Sequence, residues 1–501
     1  MHTLLNPYEH ASIFDKIMHV VATQSNGVYF LDGYGGTSKT LVWKTLSYAI
    51  RSNGGIVLIV ASSRIASILL PGGRTTHSKF AIPMPATQNS TCNIHQGSDL
   101  AELLQMTKLI IWDEAPMCHR YSIEALDKGL KDIMHNDKPF GGKVIVFCGD
   151  FRQILLVVPR GNRSDIVHAT LNASYIWDHC QILKLTKNMR LQLNFAAHTN
   201  CDDLKLFFDW LLDIGDNKLG EPNDGYGEIT ILDEFLIKNF QDPIQEIVEA
   251  TYPDLLHNYS NGDFLQKRVV LASTKEVVDK INDFNHTPCE VASKQETNSA
   301  SINVLSLILG EEKEYCSVDS VDKSNELLSH AFRVLTPEFL NSLKTLGIPN
   351  HKLKIKVGTP IILLRNLDQA NRLCNGTRLI ITRLGSNVVE AEIITRPNIG
   401  HRTYIPRMNL SSFDSLWSFK LIRRQFSFMV SFAMIINKSH GQSLTHVVLY
   451  LPNPIFSHGQ LYVALSRVQS KKRLHILIHD NQGTPKNTII NVVYKKVFTN
   501  L

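Results

Sequence analysis

The sequence predicts an α/β fold built on parallel sheets, and three observations carry that expectation. Short apolar runs rich in β-branched residues recur at "GVYFLD", "GIVLIVA", "LIIWDE" and "KVIVFCGD". The stretches between them are long enough for crossover helices, the order of a parallel sheet covered on both faces. Asp32, Asp113, Glu114 and Asp150 fall at or just after the carboxyl ends of these runs, where such sheets bind their ligands.

At 501 residues the chain exceeds one ordinary core, and at ~150 residues per domain about three are expected. Apolar residues make up 44% and charged residues 20%, the balance of a soluble globular protein. The formal charge of +6 is small over this length, so a polyanionic partner has to be argued from local clusters. Eight cysteines lie scattered between Cys92 and Cys374 without a C-x-x-C pair or zinc spacing. Reduced thiols and no structural zinc are expected. Glu9 and Asp15 interrupt the start where a signal peptide needs an apolar stretch. Arg64 cuts the longest apolar run, "GGIVLIVASSRIASILL", so no membrane span is expected. A soluble, intracellular protein follows as the expectation.

Farther along, the region from about Cys201 to Asp263 is helical and acidic, and a second set of strands begins at "RVVLAS". Residues from about 350 to 425 alternate in short strands punctuated by turns. Asn375-Gly376 there has the chemistry of a tight hairpin turn, so a small all-β insertion is expected. "FSFMVSFAMIINKSHGQSL", "HVVLYLP" and "GQLYVALSRV" then return to strand-then-helix order.

Residues 33–40, "GYGGTSKT", nearly match the phosphate-binding loop, with Ser38 in place of the second glycine. They join the strand "VYFLD" to the helix "KTLVWKTLSYAI", whose exposed amides and dipole favour an anion. Gly33, Gly35, Gly36, Thr37 and Ser38 would then wrap phosphates, Lys39 would reach the outer ones, and Thr40 would ligate Mg²⁺. A glycine-rich turn alone would look the same. "LIIWDEAP" adds Asp113 for the metal and Glu114 to orient or activate water, which together with Lys39-Thr40 reads as a nucleotide hydrolase. Trp112 reads as packing. In "FCGDFRQ", Gln153 is placed to sense the γ-phosphate or the attacking water, and Asp150 to hold a neighbouring amide or arginine. Arg190 in "LTKNMR" and Arg467 in "VALSRV" are the candidates for the charge that completes phosphoryl transfer. Arg467 lies on a predicted helix in the second half, from which domain closure would deliver it.

The ordered set "GYGGTSKT", "ASSRIASILLPGGRTTHSKF", "IIWDEAPM", "GDFRQIL", "LTKNMRL", "AMIINKSHGQSL" and "GQLYVALSRV" closely resembles the Pif-type (petite integration frequency) DNA helicases. The resemblance is nearest to the branch associated with Helitron elements and runs over almost the whole chain. It implies two RecA-like P-loop motor domains with parallel sheets, plus a small β-barrel insertion in the second. The implied activity is ATP-dependent 5′ to 3′ movement on single-stranded DNA with duplex unwinding, in repair, recombination and telomere maintenance. The implied partners are ATP with Mg²⁺ and single-stranded and forked DNA, with no membrane. The nucleus is the implied compartment, with the mitochondrion as the alternative. Carried over motif by motif, Lys39 and Thr40 bind phosphate and Mg²⁺, Asp113 holds the metal and Glu114 activates water. Gln153, Arg190 and Arg467 resemble the γ-phosphate group, and His10 stands where the family has an adenine-reading glutamine. His77, Lys79 and Phe80 in "TTHSKF", and Lys438, Ser439, His440 and Gln442 in "NKSHGQS", resemble DNA-contacting motifs.

The domains implied are 1–195, a first RecA-like ATPase domain with a short wedge at about 80–104; 196–350, a helical connection and the start of the second; 351–425, the barrel; and 426–501, the remainder of the second. Clusters at Arg423, Arg424 and Phe426 and at Lys471, Lys472 and Arg473 add cations and aromatics suited to a nucleic-acid groove, although each also reads as surface charge beside core aromatics. The sequence departs from the family pattern at Ser38, His10, His440, Arg64 and Leu156. These departures, and a start almost at the first motif, support a second reading: a truncated, catalytically impaired DNA-binding remnant of a transposon-type helicase.

Overall fold

The computed structural model describes residues 8–70, 72–189, 201–221, 224–282, 305, 308–322, 335–345, 347–368, 371, 373–395, 398–411, 419–442, 444–468, 470–499 and 501. The chain divides into two compact units, one of residues 1–231, 454–466 and 488–501, the other of 232–453 and 467–487.

The first unit is built on β1 (Gly27–Gly33), β2 (Ile56–Ala61), β3 (Arg74–Thr75), β4 (Thr107–Asp113), β5 (Val144–Gly149) and β6 (Cys180–Leu185). They are all parallel, in the order β3-β2-β4-β5-β1-β6. Because β1 lies between β5 and β6, and β4 lies beside β5, the ends of β1, β4 and β5 share one edge of the sheet. Helix α1 (Tyr8–Ala22) precedes β1, and α2 (Lys39–Ser52) follows the loop after it. Val42, Trp43, Leu46, Ala49 and Ile50 recur at helical spacing and are buried, which holds α2 against the sheet. Trp43 is fully buried in that core, and its truncation to alanine would cost about 3–5 kcal/mol. Residues 81–98, within the expected wedge, form turns and bends between two short helices.

Two C-terminal stretches expected in the second domain fold with the first unit. The helix Gln460–Leu465 packs on the helix Cys201–Gly215, and the strand Thr488–Val492 pairs antiparallel with Tyr226–Thr230. Long-range strand pairing of this kind leaves no local trace in the sequence.

The second unit holds a four-stranded parallel sheet in the order Ala433–Ile435, Arg268–Ala272, His446–Leu451, Leu474–Ile478. It also holds an antiparallel sheet of seven strands running from Val318–Val321 to Phe428–Val430, so that pairing extends on both sides of residues 351–425. Leu421–Phe426 pairs with Arg402–Ser411, while Phe428–Val430, one residue further on, pairs with Pro360–Leu363. One nearly continuous run thus closes the sheet into a small barrel. Asn375-Gly376 does turn the chain, with Thr377 N donating to Cys374 O at 2.9 Å. Only Gly376 has positive φ (93°), which is the type II pattern and not the type I′ of a two-residue hairpin. Among the described residues no helix is long and apolar enough to cross a membrane.

Candidate nucleotide site

The loop between β1 and α2 is closed by its own hydrogen bonds. Thr37 N and Thr37 Oγ1 both donate to Tyr34 O, at 3.3 and 2.9 Å, and Met189 N donates to Gly36 O at 3.0 Å. Gly36 has φ +104°, and a Cβ there would lie 2.6 Å from Asn188 Oδ1, so only glycine fits. Ser38 takes the left-handed conformation, φ 57° and ψ 38°, which disfavours an L side chain. Here lies the physical meaning of the missing glycine: the position calls for positive φ.

The Lys39 ammonium donates to Gly33 O. Burial alone would lower its pKa, but Cys148, Glu114, Asp150 and Asp113 around it raise it, so it stays a cation. Asp113 ends β4, and Glu114 follows in a left-handed turn, φ 52°, leading into Ala115–Met117. Burial first, and then the Glu114 charge, push the Asp113 carboxyl up to about 6, against the opposing pull of Lys39 and Cys148. Trp112 is fully buried and donates to Ser62 Oγ at 2.9 Å, in keeping with a packing role.

Asp150 follows β5 and is buried. Its Oδ1 accepts from Arg152 N at 3.1 Å and its Oδ2 from Tyr462 Oη at 2.9 Å. It therefore holds an amide, as expected, and also a tyrosine hydroxyl that sequence reasoning missed. Gln153 is buried, with its backbone N–H donating to Asp150 O at 3.1 Å. His10 is fully buried and its Nε2 lies 2.8 Å from Thr37 O, so α1 is tied to the phosphate loop. Glu9 adds to this, accepting from Thr186 N at 3.0 Å and Thr186 Oγ1 at 2.6 Å. The first unit thus gathers His10, the loop from Gly33 to Thr40, Asp113, Glu114 and Gln153. Thr40 is exposed on the first turn of α2. Arg190 lies outside the described residues.

The remaining candidates are distributed differently. His77 and Lys79 sit half-buried on the short helix Thr76–Phe80. Phe80 is fully buried with its ring 6.2 Å from that of Trp112, so it packs the core and presents no face to a base. In the second unit, Lys438 Nζ donates to Asn375 Oδ1 at 3.0 Å. Burial, and then Arg365, lower its pKa. Ser439 and His440 are buried, while Gln442 is half-buried with its Nε2 3.2 Å from Lys438 O. Arg467 Nη1 reaches Ser439 O and Gln442 O at 3.5 Å. Arg423 is not a surface cation. It is fully buried and bonded to Asp319 at 2.6–3.0 Å. Phe426 is likewise fully buried and stacks on Phe428. Burial of a paired arginine beside an aromatic core cannot be told from a groove by residue type alone.

Two family descriptions match the chain: "PIF1-like helicase" over residues 5–225 and "DNA helicase Pif1, 2B domain" over residues 338–384. The chain is 23% identical over 531 residues to the ATP-dependent DNA helicase RRM3 of Saccharomyces cerevisiae, an alignment covering 97% of this chain and 67% of that protein. It is 23% identical over 450 residues to the ATP-dependent DNA helicase Pif1 of Bdellovibrio bacteriovorus, covering 89% of this chain and 83% of that one. The fold is similar to that of a crystal structure of Bacteroides Pif1 bound to ssDNA, with a TM-score of 0.61 at 22% identity over 94% of this chain and 92% of that chain.

Proposed function

The chain belongs to the PIF1-like helicase family, and from that premise we propose that it is an ATP-dependent DNA helicase acting on single-stranded and forked DNA. One observation carries the reading. A lysine under a strand-to-helix phosphate loop is surrounded by Asp113, Glu114 and Asp150 from two neighbouring strand ends.

Nucleotide phosphates would lie on the amides of the loop and of the first turn of α2, with Lys39 neutralising the outer ones. The Thr40 hydroxyl and the Asp113 carboxylate are hard oxygen donors of the kind Mg²⁺ takes. The raised pKa of Asp113 fits such an ion, since a divalent cation would offset both its burial and the Glu114 charge beside it. When bound, the ion supplies neutralisation of the phosphate charge. Glu114 orients the attacking water and accepts its proton, and Gln153 senses the γ-phosphate. Arg190 and Arg467 provide the charge that completes transfer, and His10 stands beside the nucleotide base. His77, Lys79, Lys438 and Gln442 are assigned to the DNA path. We assign 5′ to 3′ movement, roles in repair, recombination and telomere maintenance, and a nuclear location with the mitochondrion as the alternative.

The test is ATP hydrolysis with and without single-stranded DNA, followed by unwinding of forks carrying a single 5′ or 3′ tail. DNA-stimulated hydrolysis with unwinding from the 5′ tail is expected. Unwinding only from the 3′ tail overturns the polarity, and hydrolysis indifferent to DNA overturns the motor. The left-handed Ser38 favours a second reading, an impaired DNA-binding remnant, which predicts DNA binding without turnover.

A further inference from the structure

Tyr462 has no place in the chemistry assigned so far, yet its hydroxyl joins two parts of the nucleotide site. It lies on the helix Gln460–Leu465, is 3% exposed and donates to Asp150 Oδ2 at 2.9 Å. The backbone N–H of Gly35 in the phosphate loop also acts on the Tyr462 hydroxyl oxygen, lowering its pKa against the larger effect of burial. Burial, and then the Asp150 charge, raise the phenol well above the ordinary tyrosine range, so the proton stays on it at any working pH.

The surroundings are shaped around this contact. A Cβ on Gly215 would come within 3.0 Å of the Tyr462 ring and 2.9 Å of Arg152 Cδ. A Cβ on Gly459, at φ +68°, would fall 2.2 Å from Arg152 O. His458 Nδ1 accepts from Tyr494 N at 2.8 Å, so its Nε2 carries the proton and donates to Phe151 O at 2.7 Å. His458 on Phe151, Gly459 against Arg152 and Tyr462 on Asp150 therefore fix residues 458–462 on residues 150–153, and Tyr462 reaches on to the phosphate loop.

We propose that Tyr462 is a positioning residue for nucleotide hydrolysis, its hydroxyl holding the Gly35 turn of the phosphate loop in register with Asp150 and the Asp150–Gln153 segment. The inference rests on the phosphate-loop reading above. Phenylalanine would fill the same space but leave a buried Asp150 oxygen without its hydrogen bond and the Gly35 amide without the oxygen it acts on. A misplacement of about 1 Å at a reacting centre costs on the order of a hundredfold in rate, so an oxygen that touches no substrate can still govern turnover.

The experiment compares the full chain with Tyr462→Phe in two readouts: DNA-stimulated kcat and KM for ATP, and backbone hydrogen exchange in a peptide covering residues 33–38. The expected result is a kcat lowered at least tenfold, a KM changed less than threefold, and faster exchange in the loop with the β5 peptide unchanged. Asp150→Ala should slow the enzyme similarly, and the double variant should be no slower than the slower single one, as for two ends of one contact. A merely structural role would lower thermal stability while leaving the kcat of the folded enzyme intact, and a kcat within twofold of the parent overturns the proposal. Unchanged loop exchange overturns it too, whatever the parent's activity. A parent without DNA-stimulated hydrolysis overturns the phosphate-loop reading, and the exchange result then still decides whether Tyr462 holds the loop.

Discussion

Replacing Ser38 with glycine tests the departure that separates this phosphate loop from the usual pattern. Ser38 sits at φ 57° and ψ 38° with no side-chain cap bond to α2. An L residue held there costs about 1–2 kcal/mol, and glycine removes that cost. Glycine also loosens the unfolded chain, which works against stability by about 0.4–1 kcal/mol. The net is a gain of about 0.5–1 kcal/mol in the folded protein. Nucleotide binding compares the free with the bound loop, so this strain enters only where the free loop relaxes and is forced back by the phosphates. In that limit relief of about 1 kcal/mol corresponds to a roughly fivefold tighter Mg-ATP complex, whereas a loop that keeps φ 57° in both states leaves affinity unchanged. DNA-stimulated turnover should rise severalfold with little change in DNA affinity. The assay is titration with a fluorescent ATP analogue, alongside urea unfolding and steady-state hydrolysis. Ser38→Ala is the control, because alanine keeps the Cβ and the strain but lacks the hydroxyl. Should alanine and glycine shift binding equally, the backbone argument is wrong and the hydroxyl is what matters. No change in either variant would mean that the serine is benign.

Glu114→Gln should leave ATP binding near normal and nearly abolish hydrolysis, because only the chemical step needs the carboxylate; full DNA-stimulated turnover in a rate assay would refute its role. Arg467→Ala should cut turnover by ~10³–10⁵, the range for arginines that complete phosphoryl transfer, with DNA affinity by anisotropy unchanged; a loss below tenfold makes it a surface charge. Burial holds His458 neutral down to about 4, against an ordinary value of 6.5 and despite the opposing Phe151 carbonyl and Asp150 charge. Its contribution to stability is therefore complete above pH 6.5 and is lost as the pH falls towards 4, amounting to about 2 kcal/mol by pH 5. Urea midpoints of the parent and His458→Gln, compared at pH 7 and pH 5, check this, and an equal pH dependence in the two proteins would remove His458 as the cause.

Local chemistry is written in the sequence: the strands, the loop that follows the first of them, and the acidic residues at their ends. These are legible because apolar runs, glycines and helix starts act over a few residues, and a parallel sheet then places the strand ends on one edge. The same locality lets motif order show the likeness to PIF1-like helicases and single out Lys39, Asp113, Glu114 and Gln153, which the first unit gathers. Matters of distant partners emerge only in the folded chain. Thr488–Val492 joins the first unit because it pairs with Tyr226–Thr230. Arg423 is a buried partner of Asp319 and Phe80 a core ring beside Trp112, although both residue types suit a nucleic-acid groove. The sequence shows only that Ser38 replaces a glycine, and its φ of 57° shows that the position demands a left-handed backbone. The Tyr462 hydroxyl meets Asp150, 312 positions away, only once the chain has folded. Burial and pairing across such separations are set by packing, and no short window of sequence contains them.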